Sequence, residues 1–502
     1  MSDASTPRSA AESDDQPFSP EDLAACLRVL AAVHTLPDDD ERFVAVRRAT
    51  GKMFKEVKRH RRTLARQEEL EADRRLMELT ATGAADRLDD ETEGLPLTST
   101  APGATAGEYR QPRKCYVCKQ PFTTVDAFHH LLCPRCAADG RHWRTAGTDL
   151  SGRRALLTGG RAKIGMHIAL RLLRDGAHTT ITTRFPRDAA RRFAALPDSA
   201  EWLHRLRIVG IDLRDPSQVV ALTDRLLGEG HLDILINNAA QTVRRTSNSY
   251  RHLIEAEEAP LPRELTPAGG GPEVWGAGHP PEAHPQALAA AFDLEAGALL
   301  APSTVEPARL AELAMTAGSA SLARIAEGTA IDAGGLVPDL VSENSWTQVL
   351  GSVDALELLE VQLCNVTAPF LLAGRLRPAL AASPARRKYI VNVSAMEGQF
   401  SRRYKGAGHP HTNMAKAALN MLTRTSAEEM LETDGILMTA VDTGWITDER
   451  PHADKVRHAA EGWHAPLDLV DGAARVYHPI VEGERGTDLY GCFIKDYRPS
   501  AW

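Results

Sequence analysis

The chain has 502 residues, of which 43% are hydrophobic and 25% charged, with a formal net charge of -8. A chain of that length is expected to hold two or more folded units, and its composition excludes a collagenous or wholly disordered protein. The negative balance gives no general attraction to nucleic acid, and seven cysteines, four in two close pairs, suit a reducing compartment better than a disulfide framework.

Residues 1–18 are rich in Ser, Ala, Asp and Pro without periodicity and read as a disordered tail. No uninterrupted apolar run reaches the roughly 18 residues of a membrane span, and the first residues are polar and acidic, so a cytoplasmic protein without a membrane partner is expected. Residues 19–85 read as a helical region, with a short helix through EDLAACLRVLAAVHTL and a longer one from about Asp39 to Thr80. Between Arg42 and Arg66 stand ten Lys or Arg and one acid, Glu56, which gives that helix a basic face. A solvated or partner-packing helix is the favoured reading, with Phe43, Val46, Met53, Phe54, Val57 and Leu64 as a loose apolar stripe; a protein or nucleic-acid partner is the alternative.

After a linker at 86–112 comes a cysteine module at 113–145. Cys115 and Cys118 form one C-x2-C pair, and Cys133 and Cys136 form a second. Two such knuckles can place four thiolates tetrahedrally around Zn2+ at about 2.3 Å, and four cysteines close the shell, so a structural metal is expected. His129 and His130 lie nearby and read as bystanders. The module resembles small zinc ribbons, and zinc binding is expected to contribute folding free energy directly, because so short a segment has little core of its own.

From residue 150 to the C-terminus, strand-like and helical runs alternate, which is the pattern of an α/β, doubly wound parallel sheet of Rossmann type. Residues 241–344 interrupt it as an insertion after the fourth strand. Between Glu255 and Glu343 that insertion holds fourteen acids against three arginines, so its helices, around 287–300 and 307–328, are expected to be exposed on at least one side.

The first strand of the domain, Arg154–Thr158, runs into Gly159, Gly160, Arg161, Ala162, Lys163, Ile164 and Gly165 and then a helix. A glycine-rich turn from strand into helix lets the backbone approach a diphosphate, whose charge then sits at the positive helix N-terminus. TGGRAKIG resembles the T-G-x3-G-x-G fingerprint of the short-chain dehydrogenase/reductase family, with Lys163 in place of the middle glycine. Further landmarks are similar and in order. Arg184 ends the second strand, where the resemblance implies contact with the adenosine ribose; a guanidinium there, with no acid, favours NADP(H) over NAD(H). Asp212 and Leu213 resemble the adenine-contacting element. Asn238 and Ala239 lie in a stretch similar to the family's N-N-A-G. Thr443, Gly444 and Thr447 stand where the family has its P-G turn and a threonine on the nicotinamide carboxamide, with Thr443 replacing the proline.

The family commonly uses Asn, Ser, Tyr and Lys in catalysis. Asn365 and Lys416 match the Asn and the Lys, the latter also a cofactor ligand. Thr412 stands where the tyrosine belongs, and an aliphatic hydroxyl is too weak an acid to replace it. Ala395 falls at the serine position, with Ser394 one residue before it. His409 and Tyr404, together with His411, precede the helix; His409 is the preferred substitute, at the spacing of the tyrosine in enoyl reductases of the superfamily. The bare A-K-A-A helix start also resembles tyrosine-lacking dienoyl-CoA reductases, in which hydride delivery carries most of the chemistry. The resemblance implies an NADP(H)-dependent oxidoreductase acting on a small-molecule carbonyl or activated C=C substrate, and commonly a homo-oligomer. A cofactor-binding sensor or scaffold without turnover is the alternative.

Overall fold

A computed structural model describes residues 18–502 except 86, 88–96, 277–329, 331, 333, 339 and 403. The expected helices at 287–300 and 307–328 lie outside the described residues, as does nearly all of the expected tail. The chain divides into two units, residues up to Ala72 and Asp73–Trp502.

The first unit holds helix α1 (Pro20–Ala32) and most of helix α2 (Glu41–Glu78). A capping box starts α1, with Ser19 and Asp22 exchanging side-chain and backbone hydrogen bonds at 3.1 Å. Neither helix buries an apolar residue within this unit: Leu23, Leu27 and Val29 on α1 and Met53, Phe54, Val57 and Leu64 on α2 are all exposed.

The second unit opens with an antiparallel hairpin, β1 (Thr105–Lys114) and β2 (Pro121–Asp126), followed by helix α3 (Pro134–Thr145). Strand β1 corrects the expectation of a linker over 86–112. Its sequence TAGEYRQPRK buries only Tyr109, so no apolar alternation marks it as a strand.

The rest is built on β3 (Arg154–Leu157), α4 (Lys163–Arg174), β4 (His178–Thr183), α5 (Pro186–Ala194), β5 (Leu206–Gly210), α6 (Pro216–Gly228) and β6 (Ile234–Asn237). There follow α7 (Arg251–Glu258), β7 (Glu273–Trp275), α8 (Ala355–Gln362), α9 (Ala368–Ala381), β8 (Lys388–Ser394), α10 (Pro410–Asp434) and β9 (Ile436–Asp442). Helices α11 (His452–Ala460) and α12 (Leu469–Glu484) and the strands β10 (Phe493–Lys495) and β11 (Arg498–Ser500) complete it. The strand order is β11-β10-β9-β8-β6-β3-β4-β5-β7, parallel throughout except for the β10–β11 pair. Strands such as β8 and β9 are buried along their whole length, as strands covered on both faces must be. Helices α4, α5 and α12 pack one face, and α6, α9 and α10 the other. The helical stretch Ala355–Ala381 is long and apolar enough to cross a bilayer; here Leu372, Leu376 and Leu380 are buried against the sheet.

The insertion is built into the sheet rather than hung from it. Strand β7 pairs with β5, and its Trp275 is covered by the guanidinium groups of Arg207 and Arg225, 4.0 and 3.3 Å from the ring centroid. Helix α7 packs on α5, where the buried Glu257 accepts hydrogen bonds from the amides of Arg187 and Asp188 at the helix N-terminus. Burial pushes the Glu257 carboxyl up to about 7 in spite of those bonds.

Candidate functional site

The site forms at the C-terminal ends of β3, β4, β5 and β6, where strand order reverses about β3. Gly159 leaves β3 with φ 68°, and a Cβ added there would lie 2.9 Å from the Cα of Ala239. A Cβ on Gly165 would stand 2.0 Å from the carbonyl oxygen of Gly159, so only glycine lets α4 start this close to the strand. Lys163, at the position of the family's middle glycine, has φ 54°: the backbone keeps the left-handed conformation although the residue has a side chain. No side-chain cap closes the N-terminus of α4, which leaves that end of the helix to an anion. The Thr158 hydroxyl accepts from the amides of Asn238 and Ala239, both at 3.0 Å, while the Asn238 amide group donates to the carbonyls of Thr158 and Gly159. These bonds lock the loop after β6 to the loop after β3.

The loops enclose a cleft of about 660 Å³. Six cations (Arg161, Lys163, Arg184, Arg214, Arg244 and Arg245) and three acids (Asp212, Glu360 and Glu449) line it, a balance that favours an anionic occupant. The half-buried Arg184 guanidinium stands over the rings of Phe185 and Tyr250. Arg214 forks onto Asp212 at 2.6 and 3.0 Å and reaches Glu360 at 2.9 Å. Burial opposes ionisation of Asp212, but the bonds and charge of Arg214, helped by Arg184, outweigh it and hold the carboxyl below its ordinary range.

Of the residues expected to hold the cofactor, Gly159, Arg161, Lys163, Ile164, Gly165, Arg184, Asp212, Leu213, Asn238, Ala239 and Thr447 line this cleft. Gly160, Thr443, Gly444 and Lys416 do not. Gly160 faces Ile181 instead, 2.5 Å from where its Cβ would be. Arg161 is turned to the buried Asp188 and to the carbonyl of Gly334 in the insertion, at 2.6 and 2.8 Å. Gln241, Arg214, Arg244, Arg245, Tyr250, Glu360 and Glu449 also line the cleft and were not found from the sequence. Arg214 had a signal, two residues after Asp212; the two neighbouring arginines lie in the segment read as insertion.

The candidates for catalysis stand outside that lining. Asn365, in a π-helical turn at Leu363–Thr367, clamps the backbone of Gln241 with bonds of 2.7 and 2.9 Å. The Ser394 hydroxyl donates to Asn420 at 2.6 Å. The Lys416 ammonium donates to the carbonyl of Val393 at 2.9 Å, and burial pulls its pKa down to about 8 although Glu397 and Cys364 oppose the shift. His409 caps α10 with φ 43°, stacks on Trp346 at 3.9 Å between centroids and holds the Trp346 carbonyl 2.9 Å from its Nδ1. Tyr404 is 75% exposed. Thr412 is buried, with its hydroxyl 3.4 Å from Nε2 of His411.

In the cysteine module, the sulfur atoms of Cys115, Cys118, Cys133 and Cys136 lie within 4.8 Å of one another. Those of Cys118 and Cys133 are 3.7 Å apart, close to the edge of a tetrahedron of thiolates about 2.3 Å from a zinc ion. His129 and His130 turn elsewhere: Nε2 of His129 lies 3.0 Å from Asp471, and Nδ1 of His130 lies 2.8 Å from the Thr82 hydroxyl.

Residues 153–256 match the family model described as short chain dehydrogenase. An uncharacterized protein of Acanthamoeba polyphaga mimivirus is 30% identical over 384 residues, which cover 73% of this chain and 71% of that one. The peroxisomal 2,4-dienoyl-CoA reductase of Rattus norvegicus is 36% identical over 120 residues, spanning 23% of this chain and only 35% of the reductase. Among solved structures, a short chain dehydrogenase from Burkholderia cenocepacia in complex with NADP is 20% identical, with a TM-score of 0.41, and the match covers 69% of this chain and 97% of that one.

Proposed function

Given that this chain belongs to the short-chain dehydrogenase family, we propose that it binds NADP(H) in the cleft at the mouth of β3 and acts as an oxidoreductase on a small-molecule substrate. The observation that carries this reading is the pairing of an uncapped α4 N-terminus with Arg184 in the lining of the same cleft. The first suits a diphosphate. The second suits the 2'-phosphate of the adenosine ribose, where an acid would repel it.

When bound, NADPH supplies a hydride. Gly159, Gly165 and Asn238 hold the loops that would orient it, and Asn365 fixes the floor through Gln241. No candidate proton donor, whether Thr412, Ser394, His409 or Tyr404, lines the cleft. That favours an activated C=C bond over a simple carbonyl as acceptor. Hydride addition to a conjugated carbon leaves charge delocalised onto a carbonyl oxygen, and solvent can return the proton. The same inward turn of Ser394 and stacking of His409 support a second reading, a cofactor-binding sensor without turnover. The four cysteines are assigned to one structural Zn2+.

Thermal unfolding with each of NADP+, NADPH, NAD+ and NADH tests the binding. A ligand at a hundred times its dissociation constant adds about 2.7 kcal/mol to stability, and the reading requires the phosphorylated pair to give the larger shift. NADPH oxidation with conjugated enoyl and with simple carbonyl compounds then separates the two chemistries, and silence with both beside tight binding favours the sensor.

A further inference from the structure

The cysteine module and the cofactor cleft share a wall. Tyr116 lies between the first two cysteines, so the knuckle sets where its ring stands, and its hydroxyl accepts a 2.8 Å hydrogen bond from the backbone amide of Trp445. Trp445 belongs to the turn that leads from β9 to Thr447, which lines the cleft. The same turn is tied by the Gly444 amide on the Asp442 carboxylate at 3.1 Å, by the Trp445 ring 4.8 Å from that of Trp463, and by the buried Ile446 that follows. Gly444 has φ 81°, and a Cβ there would lie 2.5 Å from Leu467, which leaves the turn no other course.

Ile446, Leu467 and Leu469 form one apolar cluster with Tyr109, Cys115, Leu132 and Cys136 of the module, and Ile164 joins it from the first turn of α4. Ile164 and Leu469 also line the cleft. They therefore touch the module on one side and face the dinucleotide site on the other. An ion pair and a hydrogen bond fix the module to α12: Arg144 lies 3.1 Å from Asp471, and Nε2 of His129 lies 3.0 Å from the same carboxylate. From α4, Arg171 donates to the carbonyl of Ala146 at 3.0 Å, just beyond α3.

We propose that the four-thiolate metal centre is a positioning element for the dinucleotide cleft, coupled to it through Tyr116, the backbone of Trp445 and the shared cluster of Ile164, Ile446 and Leu469, so that metal and cofactor strengthen each other's binding. The module has little core apart from this cluster, so its order depends on the metal. Loss of the ion frees the knuckle that holds Tyr116, and with it the turn at 443–447. The coupling rests on the cofactor reading above. Tyr116 is a positioning residue, since it touches the turn and not the reacting atoms.

Binding linkage supplies the test, because a factor by which Zn2+ tightens NADP+ is the factor by which NADP+ tightens Zn2+. Zinc affinity of the full chain is measured by competition with a chromophoric chelator, with and without saturating NADP+, and is expected to rise several-fold with the dinucleotide present. Tyr116→Phe is expected to keep one zinc per chain while its NADP+ dissociation constant rises about fivefold, the factor one ordinary hydrogen bond supplies. Amide exchange at residues 443–447 speeds up in the same variant. An unchanged zinc affinity in wild-type protein that does bind NADP+ overturns the coupling alone, and this result decides the matter even if Tyr116→Phe fails to fold. A zinc-loaded Tyr116→Phe protein with wild-type affinity for NADP+ removes Tyr116 from the path. Calorimetry that finds no nicotinamide dinucleotide bound to wild-type protein overturns the cofactor reading, and the coupling with it.

Discussion

The guanidinium of Arg161 in the loop after β3 lies 2.6 Å from the carboxylate of Asp188 on α5, a residue wholly withdrawn from solvent. Asp188 also holds Arg192 at 2.7 Å, so one carboxylate balances two cations. Removing its charge takes away the carboxylate that both arginines share in a low dielectric. Asp188→Asn is expected to destabilise the second unit by about 3 kcal/mol, read as a lower urea midpoint. Burial alone raises the Asp188 pKa, but Arg192 and Arg161 outweigh it and hold it low. A carboxyl with a depressed folded pKa stabilises above its unfolded value of 3.8 and loses that contribution as pH falls through the folded one. The variant's deficit should therefore shrink below about pH 4.

Arg184→Ala is expected to weaken NADP+ binding about tenfold or more while changing NAD+ binding far less, because only the former presents a 2'-phosphate to the guanidinium. Calorimetry with both dinucleotides reads the ratio. Equal losses for both would assign Arg184 to packing against Phe185 and Tyr250 instead.

At Lys163 the chain keeps a left-handed backbone that suits glycine. Lys163→Gly should relieve about 1 kcal/mol of strain, visible as a higher midpoint of thermal unfolding, and at the same time remove a cation from the cleft. A protein that is more stable yet binds the dinucleotide more weakly is the expected combination, and the two measurements are independent.

Lys416, drawn down to about 8 by burial, gives a pH signature. A lysine with a depressed folded pKa contributes stability above its unfolded value near 10.5 and loses it as pH falls through 8. Lys416→Met should therefore raise the unfolding midpoint at pH 7, with a gain that fades between pH 8 and 10.5. If the ammonium serves the cofactor, as the resemblance implies, wild-type affinity for NADP+ declines above pH 8 and the variant shows no such limb.

The part of the cleft proposed for the dinucleotide was legible in the sequence as a cluster of residues because its signals are local. Gly159 to Gly165, Arg184 and Asp212 each sit at the end of a strand that can be read from its own few residues. The opposite wall was not legible. Arg244 and Arg245 follow β6 in a segment without periodicity, and β7 is three residues among glycines and prolines. Tyr116 and Trp445 are 329 residues apart, and no property of either stretch signals the other. The direction of Ser394 was equally hidden, since a strand-end serine can face the cleft or the neighbouring helix, and here Asn420 captures it.

A parallel sheet normally leaves its outermost strand with a row of unused amides and carbonyls that another chain can adopt. By laying Glu273–Trp275 along β5, the insertion fills that row from within the molecule. Among the described residues that margin is a ribbon of three residues, far shorter than the buried strands at the centre of the sheet.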